Sequence, residues 1–424
     1  MNLVFLATSW SATKGGINAL NHDLCTALAI KGLDVTCIVP AKDLFEEQEA
    51  EASGVHIVSL NLNDEFDKNA IHIIAESHSY LCSTETIWVG HDIKTGELSL
   101  ECKENFGGTS IVFHHMDYAN YYSTLNPSKS REKIESQRSI FGKADIVVGI
   151  GPRLAANAKR FRKGHDETYE LVPGFPSISR TPHAFDFRIT IAGRLDSESD
   201  AIKKSALATI CSANILSEQQ SGRGSITLIG TTPESLEIIK EKTSINPNVA
   251  INAFTHISDR SSYFSHIASS DLIVMPSLKE GFGLVAWETI GLEIPVIISE
   301  SSGVYELLRN KNLLHLSTTV KITGNDENDR ATLTDAIRDV FKNYQNKSDQ
   351  ARELHTTLST YTWERCAADF IGFLPPTENS DATEHESDDI QVKTLEKTKN
   401  RTDLLTKSVP SAVEIIASRA SRFL

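Results

Sequence analysis

Short apolar runs alternate with helically spaced apolar positions along most of the chain. Runs at residues 2–7, 34–40, 55–60, 86–92, 109–116 and 144–150 have strand length and little polar alternation, which suits strands covered on both faces. Helical spacing separates most of them, at 17–31, 69–79, 129–142 and 152–162. The same rhythm resumes after 186, with strands predicted at 187–195, 225–231, 249–254, 271–275 and 295–299. Helices are predicted at 206–218, 233–242, 258–268, 304–309, 330–345 and 348–359. Strand–helix alternation of this kind predicts an α/β protein with doubly wound, parallel sheets.

Composition refines this picture. A chain of 424 residues is long for one core and suits two domains with additions. The segment 177–186 reads as a linker, and beyond Pro375-Pro376 the chain turns acidic and Ser/Thr-rich, as disordered linkers are. Residues 394–407 and 411–424 carry amphipathic helical spacing, suited to docking a partner or a membrane surface. The formal net charge of −14 argues against broad nucleic-acid binding. Six cysteines lack paired or metal-ligand spacing, so free thiols in a reducing compartment are expected. No apolar stretch is long enough to cross a bilayer, and the first residues read as a strand rather than a signal peptide, so a cytoplasmic protein is expected.

The chemistry concentrates at 275–296. An apolar strand ends at Met275, Pro276 and Ser277 stop it, and Gly281 and Gly283 turn the backbone into a helix that is apolar nearly all round. Glu288 lies in the middle of that helix. A buried carboxylate costs several kcal/mol (roughly, after relaxation) unless something polar reaches it. Glu280 lies at the strand's C-terminal end, just before the helix N-terminus, where open α/β sheets bind ligands and free N–H groups favour anions. A capping carboxylate plus a core ion pair would also account for the two glutamates. Their spacing, the loop glycines and the following Pro295-Val296 resemble the signature of retaining glycosyltransferases of the glycogen-synthase-like family 4.

That resemblance spans most of 1–374 and implies the GT-B fold, two Rossmann-like domains facing a cleft. It implies an acceptor domain at 1–177 completed by a crossing helix at 362–374, a nucleotide-sugar domain at 178–361, and an extension at 375–424. Other strand ends then take on roles. Gly15 and Gly16 open the first long helix, where close backbone approach and a helix N-terminus suit phosphate; the family has a Gly-Gly loop there. His114, His115 and Asp117 end a strand; His115 and Asp117 match the family's His-x-Asp arrangement best, and His114 stays open. His91 ends the neighbouring strand. Adjacent histidines without a third spaced ligand make a poor metal site.

In the second domain Gly193-Arg194 ends a strand, and an acidic insert separates it from Lys203 and Lys204. The family uses such an Arg and Lys to neutralise the leaving diphosphate; Lys203 is the preferred match. Gly230, Phe282, Gly283 and Leu284 complete the implied donor contacts, with Glu280 on the donor sugar and Glu288 on the ribose. The implied reaction is sugar transfer, with retention, from a nucleotide-sugar to an unidentified acceptor. Its basic groups do a metal's work, so no metal or other cofactor is required. A phosphorylase, an epimerase and a catalytically silent nucleotide-sugar-binding protein are the rivals, and the glutamate pair with Arg194 argues most against the epimerase.

Overall fold

Strand β1 (Asn2–Leu6) lies inside a seven-stranded sheet between β2 (Val35–Val39) and β4 (Thr86–His91). Beyond β2 lies β3 (His56–Ser59); beyond β4 come β5 (Thr109–His114), β6 (Ile146–Ile150) and β7 (Thr168–Leu171). A six-stranded sheet repeats the plan: β10 (Val249–Phe254), β9 (Gly224–Ile229), β8 (Phe187–Ala192), β11 (Leu272–Met275), β12 (Val296–Ser299) and β13 (Thr318–Val320), in that spatial order. Every pairing is parallel. The computed structural model describes residues 2–63, 65–122, 127–162, 167–181, 186–193, 202–218, 224–242, 249–255, 257 and 259–375. Both sheets belong to one compact unit, Met1–Phe373.

Each sheet reverses its winding once, between β1 and β4 and between β8 and β11. Loops leaving the two strands at such a point diverge and open a crevice at their C-terminal ends. The segments after β1, β8 and β11 hold Gly15, Gly16, Lys203, Glu280, Phe282 and Gly283, while His114, His115 and Asp117 lie at the end of β5.

The cores follow from the patterns. Ile189, Ile191, Ile226, Leu228, Leu272 and Val274 project from strands onto Leu333, Ile337 and Val340, successive turns of the helix Asp326–Lys342. Each such side chain contributes about 1.5–3 kcal/mol by leaving water. In the first sheet Val4, Leu6, Ile38 and Trp88 meet Ile74, Leu98 and Cys102.

After the second sheet the chain returns to the first through the helix Trp363–Ile371, capped by Thr362, whose side chain accepts from the Arg365 N–H. Its Phe370 is fully buried, with ring centroids 6.0 Å from Phe5 and 5.7 Å from Phe113. A Cβ on Gly174 would lie 2.2 Å from the Trp363 nitrogen, so the segment before the second domain and the returning helix touch backbone to backbone.

Several elements differ from the sequence reading. β7 and β13 were not expected: in Thr168–Leu171 only the end residues are buried, and β13 has three residues. The helices Leu44–Ala52 and Asp92–Phe106 also carry weak apolar spacing; the first is set by a capping box between Asp43 and Glu46. All six cysteines are free. Among the described residues no helix is long and apolar enough to cross a membrane. The amphipathic stretches at 394–424 lie outside the described residues.

Candidate active site

At the switch point of the second sheet, the loop after β11 presents Glu280. Its carboxylate pairs with Lys203 through Oε2, which also accepts from the Ser277 hydroxyl at 3.0 Å. Lys204 points elsewhere, to Asp326 at 2.9 Å. Gly281 then runs against the first domain: a Cβ there would meet the carbonyl oxygen of His115 at 2.4 Å. Phe282 packs on Gly151, where a Cβ would meet the ring at 2.4 Å. Gly283, at φ +97°, supplies a left-handed turn into the helix Leu284–Gly291, which has no side-chain cap. Its first N–H groups therefore have no side-chain acceptor at the cap and face the loop beside Glu280. Leu284 reaches Gly16, with a Cβ at Gly16 placed 3.1 Å from its Cδ1. The motif loop thus meets the Gly15–Gly16 turn and the His115 strand end.

One turn into the helix, Glu288 answers the question of its partner. Arg260, at the start of the helix Arg260–Ala268, donates to Glu288 Oε1 at 2.8 Å and to Asp23 Oδ2 at 2.6 Å. The Tyr263 hydroxyl donates to Glu288 Oε2 at 3.1 Å. Asp23 belongs to the first domain's helix Gly16–Ile30, so the guanidinium ties the two domains together. His22 completes the cluster, 2.9 Å from Asp23 and 3.6 Å from Glu49, the latter an ion-pair distance rather than a hydrogen bond. Burial pushes Glu288 up, against the pull of Arg260. Burial also works against Asp23, but Arg260 and His22 outweigh it and hold Asp23 below the usual carboxylate range. Burial opposes charge on His22 as well, yet Asp23 and Glu49 raise it to about 9. The group therefore holds charged His22, Asp23 and Arg260 together near neutral pH, with Glu288 pushed up beside them.

Beside the first sheet's switch point, His115 past β5 places its Nε2 3.0 Å from Nδ1 of His91 at the end of β4, and His91 Nε2 lies 2.9 Å from Asn21 Oδ1. Burial takes His91 down to about 3; burial and the neighbouring histidines take His115 well below its ordinary value. Both rings are neutral near pH 7. Asp92, fully buried and at φ +50°, accepts from the backbone N–H groups of His115 and Met116 at 3.0 and 3.1 Å and from Gln137 Nε2 at 2.6 Å. That carboxylate fixes the loop carrying His115.

The sequence-derived residues separate into groups. Glu280, Lys203, Phe282, Gly283, Leu284, Gly16 and His115 converge on one crevice, with Gly15 at φ +117° turning the chain beside them. His114 faces away: it is fully buried among Asp92, Gln137 and Asn157 inside the first domain. Asp117 hydrogen-bonds Asn120 and starts a short helix rather than joining His115. Gly230, at φ +92°, ends β9 with its N–H on the Phe254 carbonyl at 2.7 Å. Arg194 lies outside the described residues. Arg260, Tyr263, Asp23, His22 and Asn21 were not found from sequence; the need of a buried Glu288 for a cation was the available signal, and it named no position.

A model of the family described as "Family 4 Glycosyltransferase in conflict systems" matches residues 4–370. A stretch of 104 residues is 31% identical to D-inositol 3-phosphate glycosyltransferase of Paenarthrobacter aurescens (strain TC1), covering 24% of each chain. The match thus spans about a quarter of that relative. Among solved structures, Anabaena HepE in complex with UDP and glucose superposes with TM-score 0.68 at 13% identity, over 88% of this chain and 98% of its own. Sucrose-phosphate synthase from Thermosynechococcus elongatus gives 0.65 at 15% identity, over 88% and 98%. At such identities these two likenesses speak for the fold, which is GT-B.

Proposed function

Since the chain belongs to the family 4 glycosyltransferases of conflict systems, we propose that it transfers a sugar, with retention, from a nucleotide-sugar to an acceptor. The observation that carries this reading is the Lys203–Glu280 pair at the second sheet's switch point, abutting the His115 strand end of the first. Lys203 supplies positive charge where a leaving diphosphate gathers negative charge, and electrostatic stabilisation of that kind is usually the largest catalytic contribution. Arg194 is the second cation of this proposal. Glu280 accepts from donor-sugar hydroxyls once Lys203 turns to the phosphates, and the uncapped N–H groups after Gly283 add a further anion contact. Glu288 already serves Arg260 and Tyr263; a carboxylate has about four acceptor positions, leaving room for ribose hydroxyls. The lysine and arginine offset the diphosphate charge, so the proposed chemistry runs without a metal.

HepE, crystallised with UDP and glucose, makes uracil the first base to try. Calorimetric titration with UDP, GDP and ADP is the test: one nucleotide is expected to bind, and Lys203→Met to weaken it at least ten-fold. Absence of binding by all three would reject the reading. A silent binding protein is the second reading, favoured by the prior engagement of Glu288 by Arg260 and Tyr263; binding without turnover would select it.

A further inference from the structure

The Asn21–His91–His115 chain carries a consequence for the site. It is built from three elements: Asn21 on the helix Gly16–Ile30, His91 at the end of β4 and His115 just past β5. Asn21 and His91 have no exposed surface. The Asn21 amide lies between two thiols, its Nδ2 donating toward Cys37 Sγ at 3.5 Å and its Oδ1 facing Cys25 Sγ at 3.8 Å and His91 Nε2 at 2.9 Å. An amide oxygen only accepts, so His91 must carry its proton on Nε2. Burial keeps His91 from taking a second proton. Its Nδ1 is therefore a bare lone pair, and the 3.0 Å contact with His115 requires the hydrogen to come from His115 Nε2. His115 is neutral as well, so its Nδ1 is left without a hydrogen, and that nitrogen has no partner among the described residues.

We infer that Asn21 and His91 are positioning residues that lock His115 in the tautomer with hydrogen on Nε2, so that its Nδ1 accepts a hydrogen bond from a sugar hydroxyl. This deepens the function proposed above and rests on that reading for the identity of the ligand. Two further features fit the assignment. The ring of His91 stacks on Phe113, centroids 5.5 Å apart, which holds its plane. Asp92 grips the His115 backbone N–H at 3.0 Å, which holds the other end of the residue. The crevice then meets a sugar with an acceptor from each domain, His115 Nδ1 and the Glu280 carboxylate, and so selects for hydroxyl groups that donate.

The test has a readout that needs no substrate. Full-length protein labelled with 15N-histidine, with His115 assigned by comparison with His115→Gln, gives the protonation state of each ring nitrogen from its chemical shift and its couplings to ring hydrogens. The expected result at pH 7 is a hydrogen on Nε2 and none on Nδ1. Hydrogen on Nδ1 would overturn the inference, since it means the reversed chain, in which the Asn21 amide nitrogen donates to His91. Kinetics supply the second arm, measured as UDP released from UDP-glucose. His91→Leu removes the acceptor and is expected to lower kcat about ten-fold while leaving KM within about two-fold. His91→Asn puts an amide oxygen near the old Nδ1 and is expected to keep kcat within about three-fold of the parent. Equal losses in both variants, or none in His91→Leu, would remove the positioning role. If UDP-glucose supports no turnover, the failure belongs to the proposed function, and the ring-nitrogen measurement still decides the tautomer.

Discussion

Replacing Arg260 by Met removes a cation that touches carboxylates of both domains while keeping much of the apolar stem. The side chains of Arg260, Asp23 and Glu288 are 17%, 15% and 9% exposed, so the ion pairs are close to a buried case. Breaking such a pair from one side costs about 3–5 kcal/mol, because the partner charge stays behind without compensation. Here Glu288 loses its cation while Asp23 keeps His22 at 2.9 Å, which places the estimate within that range. For a domain of roughly 150–250 residues each kcal/mol shifts Tm by about 2–4 °C, so calorimetry should show a drop on the order of 10 °C. The sign of the pH dependence follows. Without the guanidinium, the lowered Asp23 rises towards its unfolded value and Glu288, already raised by burial, rises further, so the folded state takes up protons. The deficit relative to the parent is therefore largest near pH 8 and shrinks towards pH 5. Adding Asp23→Asn and Glu288→Gln removes the stranded charges, and Arg260→Met on that background is expected to be neutral or stabilising. A Tm within about 2 °C of the parent, or the same deficit on both backgrounds, would show that the cluster does not join the domains as described.

Further outcomes follow from single contacts. Gly281→Ala sets a Cβ 2.4 Å from the His115 carbonyl, so the motif loop must withdraw from the first domain; sugar release should fall at least ten-fold, while far-UV circular dichroism stays unchanged. His22 is raised from 6.5 to about 9, so its stabilising contribution is complete below about pH 6.5 and fades as pH climbs through 9. The Tm gap between the parent and His22→Gln should accordingly narrow from pH 6 to pH 9.5, and a gap that widens would reverse the assignment. Trp287→Phe loses the indole N–H bond to the Pro173 carbonyl at 2.8 Å and part of a fully buried side chain. A loss of about 2–3 kcal/mol in urea unfolding is expected.

How far the sequence could be read depended on whether information was local. The strands and most helices rest on apolar periodicity, and doubly wound sheets follow from their alternation. The Glu280 loop was legible because a strand end, two glycines and an apolar helix lie within a few residues of each other. Edge strands β7 and β13 were not, since half-buried or very short strands leave little pattern. Partners contributed from far along the chain were hidden for a related reason: Arg260 is 237 residues from Asp23, and His91 is 70 from Asn21. A buried Glu288 demanded a cation, but only the fold chooses which arginine supplies it. His114 and His115 are adjacent at a strand end and point to opposite sides; the resemblance preferred His115, and local sequence alone left His114 open.

The most direct measurement incubates the full-length protein with α-linked nucleoside diphosphate sugars of uracil, guanine and adenine, and follows the first sugar product by proton NMR. The account predicts that one donor is cleaved and that the product appears first as the α anomer, before it equilibrates in solution. A product appearing first as the β anomer, or no cleavage of any donor, would contradict it.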